Sequence, residues 1–257
     1  MMGVINFFRK TFVIAELEMR KIFHDPTEII MRAIQPALWL LIFGQVFARM
    51  HAIPGQTNYI DFMTPGILAQ SVLFVSIFSG IAIIWERDLG LIHKLLATPT
   101  PRASIVLGKA ISAGLRTLPI VVIIYLLAIL LGVHIDWSPL SLLGVLVMIM
   151  LGAIFFSTFS LIIACLVKTR ERFMGIGQLL TMPLFFASNA IYPTEIMPGW
   201  LKVISHMNPL TYMVDALREM ITGVASGFTL SFDFLVLLIA SVLFVAIGGV
   251  LYKRVII

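Results

Sequence analysis

The sequence predicts an all-α integral membrane protein, and three observations carry that prediction. Apolar residues fill 60% of the 257 positions and charged residues only 12%, about half the share of an average soluble domain. The mean hydropathy is +1.05. Six windows reach the roughly 20 apolar residues that a helix needs to cross the hydrocarbon core, at about 29–48, 63–85, 112–132, 139–167, 173–192 and 231–251. The chain therefore reads as one transmembrane domain over 1–257, with spans and short connections leaving no room for a water-soluble domain of catalytic size.

Ahead of the first window, residues 1–28 form a segment of different character. Val4, Phe8, Phe12, Ala15, Met19 and Ile22 repeat on one helical stripe with Arg9, Glu16 and Arg20 opposite, which predicts an amphipathic helix lying at the interface. The stretch is too charged for a signal peptide, so this end is expected to be retained. The second window ends at Trp85, an interfacial anchor, and opens into the polar run 86–102. Within it Leu89, Ile92 and Leu96 share a face, Thr98-Pro99 stops the helix, and Thr100-Pro101 starts a second one that runs through Lys109 toward the third span. The segment between spans five and six, 193–230, opens with the turn-rich run Pro193 to Trp200. Asn208-Pro209 then signals a helix start, and Leu210, Met213, Val214, Leu217 and Ile221 recur at helical spacing up to Gly223, predicting a short outer amphipathic helix before the last span.

Charge orients the spans. Arg9, Lys10, Arg20, Lys21, Arg87, Lys94, Arg102, Lys109, Lys168, Arg170, Arg172, Lys253 and Arg254 fall on one side, against Arg49, Lys202 and Arg218 on the other, with Arg32 and Arg116 uncounted near span ends. Thirteen against three puts both termini in the cytoplasm of a multi-pass cell-membrane protein. The same distribution explains the pI near 9.6 and net charge of +5 without a nucleic-acid partner, because the basic residues do not form one patch.

Transport against a gradient needs an energy source. No window carries Asp or Glu in its middle, which weakens coupling to an ion gradient, and the chain lacks a Gly-x-x-x-x-Gly-Lys-[Ser/Thr] phosphate cradle. A separate ATPase docked on the run 86–102 remains, with a plain solvated loop as the competing reading of that run.

These pieces carry a resemblance. The amphipathic N-terminal helix, Glu86-Arg87-Asp88-x-Gly90 followed by Leu95-Leu96-Ala97-Thr98-Pro99-x-x-Arg102, and Tyr192-Pro193 through Asn208-Pro209-Leu210-Thr211-Tyr212 resemble the membrane subunit of type-2 ABC exporters, nearest in look to the antibiotic-resistance branch. The resemblance implies a permease subunit that is not itself an ATPase and moves a drug, lipid or glycan. It implies no cofactor in this chain, with ATP and Mg bound by a nucleotide-binding partner subunit. A second membrane half is implied as well, either another copy of this chain in a homodimer or a related chain, bathed in membrane lipid. The coupling helix would comprise Glu86, Arg87, Asp88, Leu89, Gly90, Ile92 and Leu96, with the helix from about Phe8 to Phe23 beside it. Spans two and five would line the pathway, which points to Gln70, Phe74, Phe78, Gln178, Phe185, Phe186 and Asn189. Rings offer adaptable area and amides a few hydrogen bonds to an amphipathic substrate, although the same residues also read as ordinary interhelical packing.

Other features have plain readings. Pro183 should kink span five, and Arg32 and Arg116 should snorkel to the cytoplasmic surface. Glu195, Asp215, Arg218 and Glu219 read as a solvated helix face, Cys165 as a small packing residue, and the five histidines lack metal-ligand spacing. The main alternative function is an ATP-independent secondary carrier or channel; a membrane scaffold or enzyme stands third.

Overall fold

The computed structural model describes residues 2–22, 27–49, 59–92, 97, 100–167, 169–224 and 227–252, and every regular element among them is helical. In chain order these are α1 (Met2–Ile22), α2 (Thr27–Leu38), a π-helical turn (Trp39–Gly44), α3 (Gln45–Arg49), α4 (Tyr59–Ser79), α5 (Ile81–Asp88), α6 (Arg102–Leu130) and α7 (Pro139–Leu166). They continue with α8 (Arg170–Phe186), a 3-10 turn (Thr194–Ile196), α9 (Gly199–Met207), α10 (Pro209–Thr222) and α11 (Leu230–Leu251). Among the described residues, five stretches are long and apolar enough to cross a membrane: Ile30–Arg49, Tyr59–Asp88, Arg102–Leu130, Pro139–Leu166 and Leu230–Leu251. The remaining window, 173–192, becomes α8. That helix has 17 residues, the lower end of what can cross, and turns out of helical geometry at Ala187.

Local chemistry sets most boundaries. Ser138 caps α7 by accepting the Ser141 amide at 3.2 Å, with Pro139 in the first helical position. Asp136 braces the same cap, and hydrogen bonds from Ser141 and Ser138 hold its carboxyl below the usual carboxylate range. Asn208 caps α10 by accepting the Leu210 amide at 3.0 Å, and Gly223, at φ 70°, ends that helix. The joint between α4 and α5 lies at Gly80, where the helix meets α7 and α8. A Cβ on Gly80 would sit 2.2 Å from Ser160 Oγ and 2.8 Å from Phe173, and the Ile77 carbonyl accepts from the Ser160 hydroxyl as well as from the Gly80 amide, at 3.4 Å.

The core is built around α4. Met63, Ile67, Leu68, Val72 and Leu73 are fully buried there, against Met148, Ile149 and Phe156 of α7 and Met213, Val214 and Leu217 of α10. By contrast α11 turns Leu235, Leu238, Ile239, Val242, Leu243 and Val250 outward, as a helix facing hydrocarbon should.

The N-terminal helix shares its apolar stripe between the bundle and the surroundings. Its bundle-facing residues are Thr11, Ile14, Ala15 and Glu18, while Phe8 and Phe12 are about half exposed, as side chains of an interfacial helix that face away from the bundle. The reason is Gly108: a Cβ there would lie 2.8 Å from both the Thr11 carbonyl and the Ile14 Cβ, so α1 rolls until its small and branched residues meet the glycine. Contacts run in step, Phe7 with Ser104, Thr11 and Ile14 with Gly108, Glu18 with Lys109 and Arg116, so α1 lies parallel to the first half of α6. Cys165 is buried, as its packing reading requires.

Glycine also fixes the closest crossing. A Cβ on Gly66 would lie 2.3 Å from the Ala190 carbonyl oxygen, a backbone atom with nowhere to go. Gly66→Ala is expected to lower stability in detergent by about 1–3 kcal/mol, read as a fall in thermal midpoint. Gly175→Ala, at a position with nothing within 4 Å, should leave it unchanged or slightly raised.

Candidate functional site

At the end of α5 three consecutive residues reach three different neighbours. Glu86 turns inward, where its Oε2 accepts from Lys109 Nζ at 2.6 Å; the same ammonium donates to Glu18 Oε1 at 3.1 Å. Arg116 stands 3.6 Å from the other oxygen of Glu18, completing two anions and two cations from α1, α5 and α6. All four side chains are largely buried, at 7 to 16% exposure. Charges so removed from water persist only when each is compensated, and here each acid has a cation. Tyr252, fully buried where α11 ends, lies within electrostatic reach of Glu86 and Glu18. Arg116, expected to snorkel, is thus drawn inward by Glu18.

The next two residues tie in the remaining helices. Arg87 Nη1 donates to the Val167 carbonyl at 3.2 Å, one of the carbonyls left open where α7 ends. Asp88 Oδ2 accepts from Arg170 Nη2 at 2.9 Å and Nε at 3.2 Å, and that guanidinium lies 4.7 Å over the Trp85 ring. Arg170 opens α8, whose first turn Thr169 caps through the Arg172 amide. One turn of α5 is therefore bonded to α6, and through Lys109 to α1, as well as to α7 and α8.

Beyond it the run changes direction. Gly90 takes φ 69°, which ends the helix, and Leu89 and Ile92 fall in opposite environments: Leu89 is 69% exposed, Ile92 fully buried. Leu91 is partly exposed. A helix unbroken through Gly90 would have put Leu89 and Ile92 on one face; the left-handed glycine separates them. Leu96, with His93, Lys94, Leu95, Thr98 and Pro99, lies outside the described residues.

A cavity of about 540 Å³ opens between α2, α4 and α8. Gln70, Phe74, Phe78 and Gln178 line it, joined by Arg32 and Gln35 from α2, and the Phe74 and Phe78 rings stand 6.1 Å apart. Gln70 is buried, and its Oε1 lies out of reach of solvent with no hydrogen-bond partner. The other three residues assigned to the pathway lie elsewhere. Phe185 is buried against Trp39 at 6.0 Å and Phe186 at 5.4 Å, and Phe186 is half exposed away from the cavity.

Asn189 enters a network at the opposite end of the bundle from Glu86. Its Nδ2 donates to Asp215 Oδ1, and Arg218 Nη2 donates to the Asn189 carbonyl at 2.8 Å while its guanidinium lies 3.9 Å over the Phe62 ring. Asp215 and Arg218 are each 3% exposed, so they are not the solvated face their charge suggested. Burial follows from helical spacing, since Arg218 stands four residues after Val214 and three before Ile221 on the apolar face of α10. That spacing was the signal available in the sequence. Asp233, in the first turn of α11, is also fully buried, and Asp215 and Glu219 act on it electrostatically.

Comparison with known proteins places the chain among transport permeases by sequence. Residues 9–222 match the family model described as ABC-2 type transporter. The chain is similar to a putative transport permease, ycf38, of Cyanophora paradoxa, at 30% identity over 97% of this chain and 89% of that one. It is also similar to the daunorubicin resistance ABC transporter permease protein DrrB1 of Streptomyces coeruleorubidus, at 25% identity over 79% and 71%. A further relative is the inner membrane transport permease YadH of Escherichia coli K12, at 25% identity over 73% and 72%.

The ion cluster makes a specific energetic statement. Lys109→Met leaves Glu86 facing no cation in a buried site and is expected to cost about 3–5 kcal/mol of stability. Lys109→Met with Glu86→Gln keeps the Glu18–Arg116 pair and should recover most of that loss in thermal unfolding. A single variant as stable as the parent would show that the cluster is not a structural tie.

Proposed function

The chain belongs to the ABC-2 type transporter family, and from that premise we propose that it is the membrane subunit of an ATP-driven exporter for an amphipathic substrate such as a drug, lipid or glycan. A separate nucleotide-binding subunit supplies ATP and Mg, a second copy of this chain completes the pathway, and both termini lie in the cytoplasm of a cell membrane. The placement of Arg87, Arg102, Lys109, Arg170 and Arg172 at the same end as α1 supports that orientation.

The observation that carries the reading is the bonding of Glu86, Arg87 and Asp88 to separate helices. Force on a loop hinged at one point is lost in the loop. Force on the exposed edge formed by Asp88, Leu89 and Leu91 is instead passed to α6 and α1, α7 and α8 at once, because the turn behind that edge is bonded to each. Tied in this way, this end tilts as a unit. The helices that tilt include α8, one wall of the 540 Å³ cavity, so partner closure and cavity shape are linked in a common rigid body. The Phe74 and Phe78 rings offer the substrate apolar area, and a small movement of Gln70 would turn its unpaired oxygen toward a substrate hydroxyl or amide.

Leu89→Asp with Leu91→Asp, both at exposed positions, should leave insertion intact while cutting co-purification of a P-loop ATPase, and substrate-stimulated hydrolysis, about tenfold. Unchanged assembly and turnover would remove docking from this edge. Transport by the purified chain alone, driven by an ion gradient in liposomes, would replace the ATP-driven reading with a carrier. Gln70→Leu should raise the substrate concentration for half-maximal stimulation roughly 2- to 10-fold.

A further inference from the structure

A second cavity, of about 370 Å³, lies between α1 and the start of α6, apart from the pathway and from the α5 edge. Its two ends differ in chemistry. Asn6, Arg9, Lys10 and Thr100 line one end, and Val13, Ile14, Leu17 and Ile105 the other. Pro101 supplies no side-chain cap to α6, although its carbonyl accepts the Ser104 and Ile105 amides, and the positive end of the helix dipole falls at the basic end. No Asp or Glu lines the groove among the described residues.

Direction matters as much as composition. Because α1 runs parallel to α6, and α6 continues from this region through the bundle to Leu130, the apolar end of the groove faces the bundle interior and the basic end faces away from it. Residues 6 to 17 of a helix cover about 16 Å, the scale of an acyl chain rather than of a small ion. Val13 and Leu17 are half exposed at the groove, so the apolar end opens sideways to whatever surrounds the protein.

We infer that this groove binds one phospholipid with an anionic headgroup, from the leaflet on the α1 side, with the phosphate between Arg9 and Lys10 and an acyl chain along Val13, Leu17 and Ile105. A zwitterionic lipid would fill the apolar end equally but gain less at the basic one. The groove thereby seats α1 against both protein and bilayer.

The purified full chain in detergent, offered equal amounts of dioleoyl phosphatidylglycerol and dioleoyl phosphatidylcholine, would have its retained lipid counted by native mass spectrometry. The expected result is retention of phosphatidylglycerol in roughly tenfold excess. Arg9→Gln with Lys10→Gln should bring the two lipids near parity, Leu17→Trp should lower retention of both by filling the apolar end, and Arg20→Gln, exposed and outside the groove, should change nothing. Thermal unfolding of each variant confirms that it is folded. Parity in the parent chain, or an equal effect of Arg20→Gln, would overturn the site. So would loss of a co-purifying ATPase in the double variant with lipid preference intact, which would give the groove to a protein surface.

Discussion

Two carboxylates and two cations, buried where three helices meet, govern how this chain can move. In a bilayer, apolar contact barely distinguishes one helix arrangement from another, because lipid tails offer the same surroundings as leucine. Glu18, Glu86, Lys109 and Arg116 do distinguish them: separating any one helix strands a charge in a medium that will not solvate it. The N-terminal helix, the end of the second span and the start of the third are therefore one mechanical piece, and the α7 and α8 termini join it through Arg87 and Asp88.

The opposite end uses the same device for another purpose. Asn189, Asp215 and Arg218 bind the turn after α8 to α10 and, through the Phe62 ring, to α4. Between these two polar knots the bundle holds together by shape, with glycines at the closest crossings and α4 in the middle. The large cavity lies beside that middle section, flanked by helices whose ends are tied at different levels.

What was legible in the sequence was what local physics decides. The capped start of α10 at Asn208-Pro209 and its end at Gly223 are set within a few residues, and both stand where read. Apolar windows located five of the six predicted spans among the described residues, although α6 begins at Arg102, about ten residues before its window, because its first turns are stabilised by α1 rather than by lipid; the sixth, 173–192, became the shorter α8, which stops at Phe186. What was not legible depends on partners distant in sequence. Glu18 and Lys109 are 91 residues apart, so neither spacing nor hydropathy could pair them, and Arg116 looked like a snorkelling residue for the same reason. For Phe8 and Phe12 the stripe itself was legible, but which face of α1 meets the bundle is decided by Gly108 on another helix. At Gly90 helical spacing assigned Leu89 and Ile92 to one face because periodicity assumes the backbone does not turn between them.

The π-helical turn at Trp39–Gly44, midway along the first span, has a consequence of a different kind. A turn with i to i+5 hydrogen bonding holds more residues than an α turn, so it absorbs an insertion that would rotate everything after it in a regular helix. The residues before it, including Arg32 and Gln35 on the cavity wall, are therefore phased against those after it differently from a regular helix of the same length. On the facing wall α4, clamped at Gly66, aims Gln70, Phe74 and Phe78 by α-helical spacing alone.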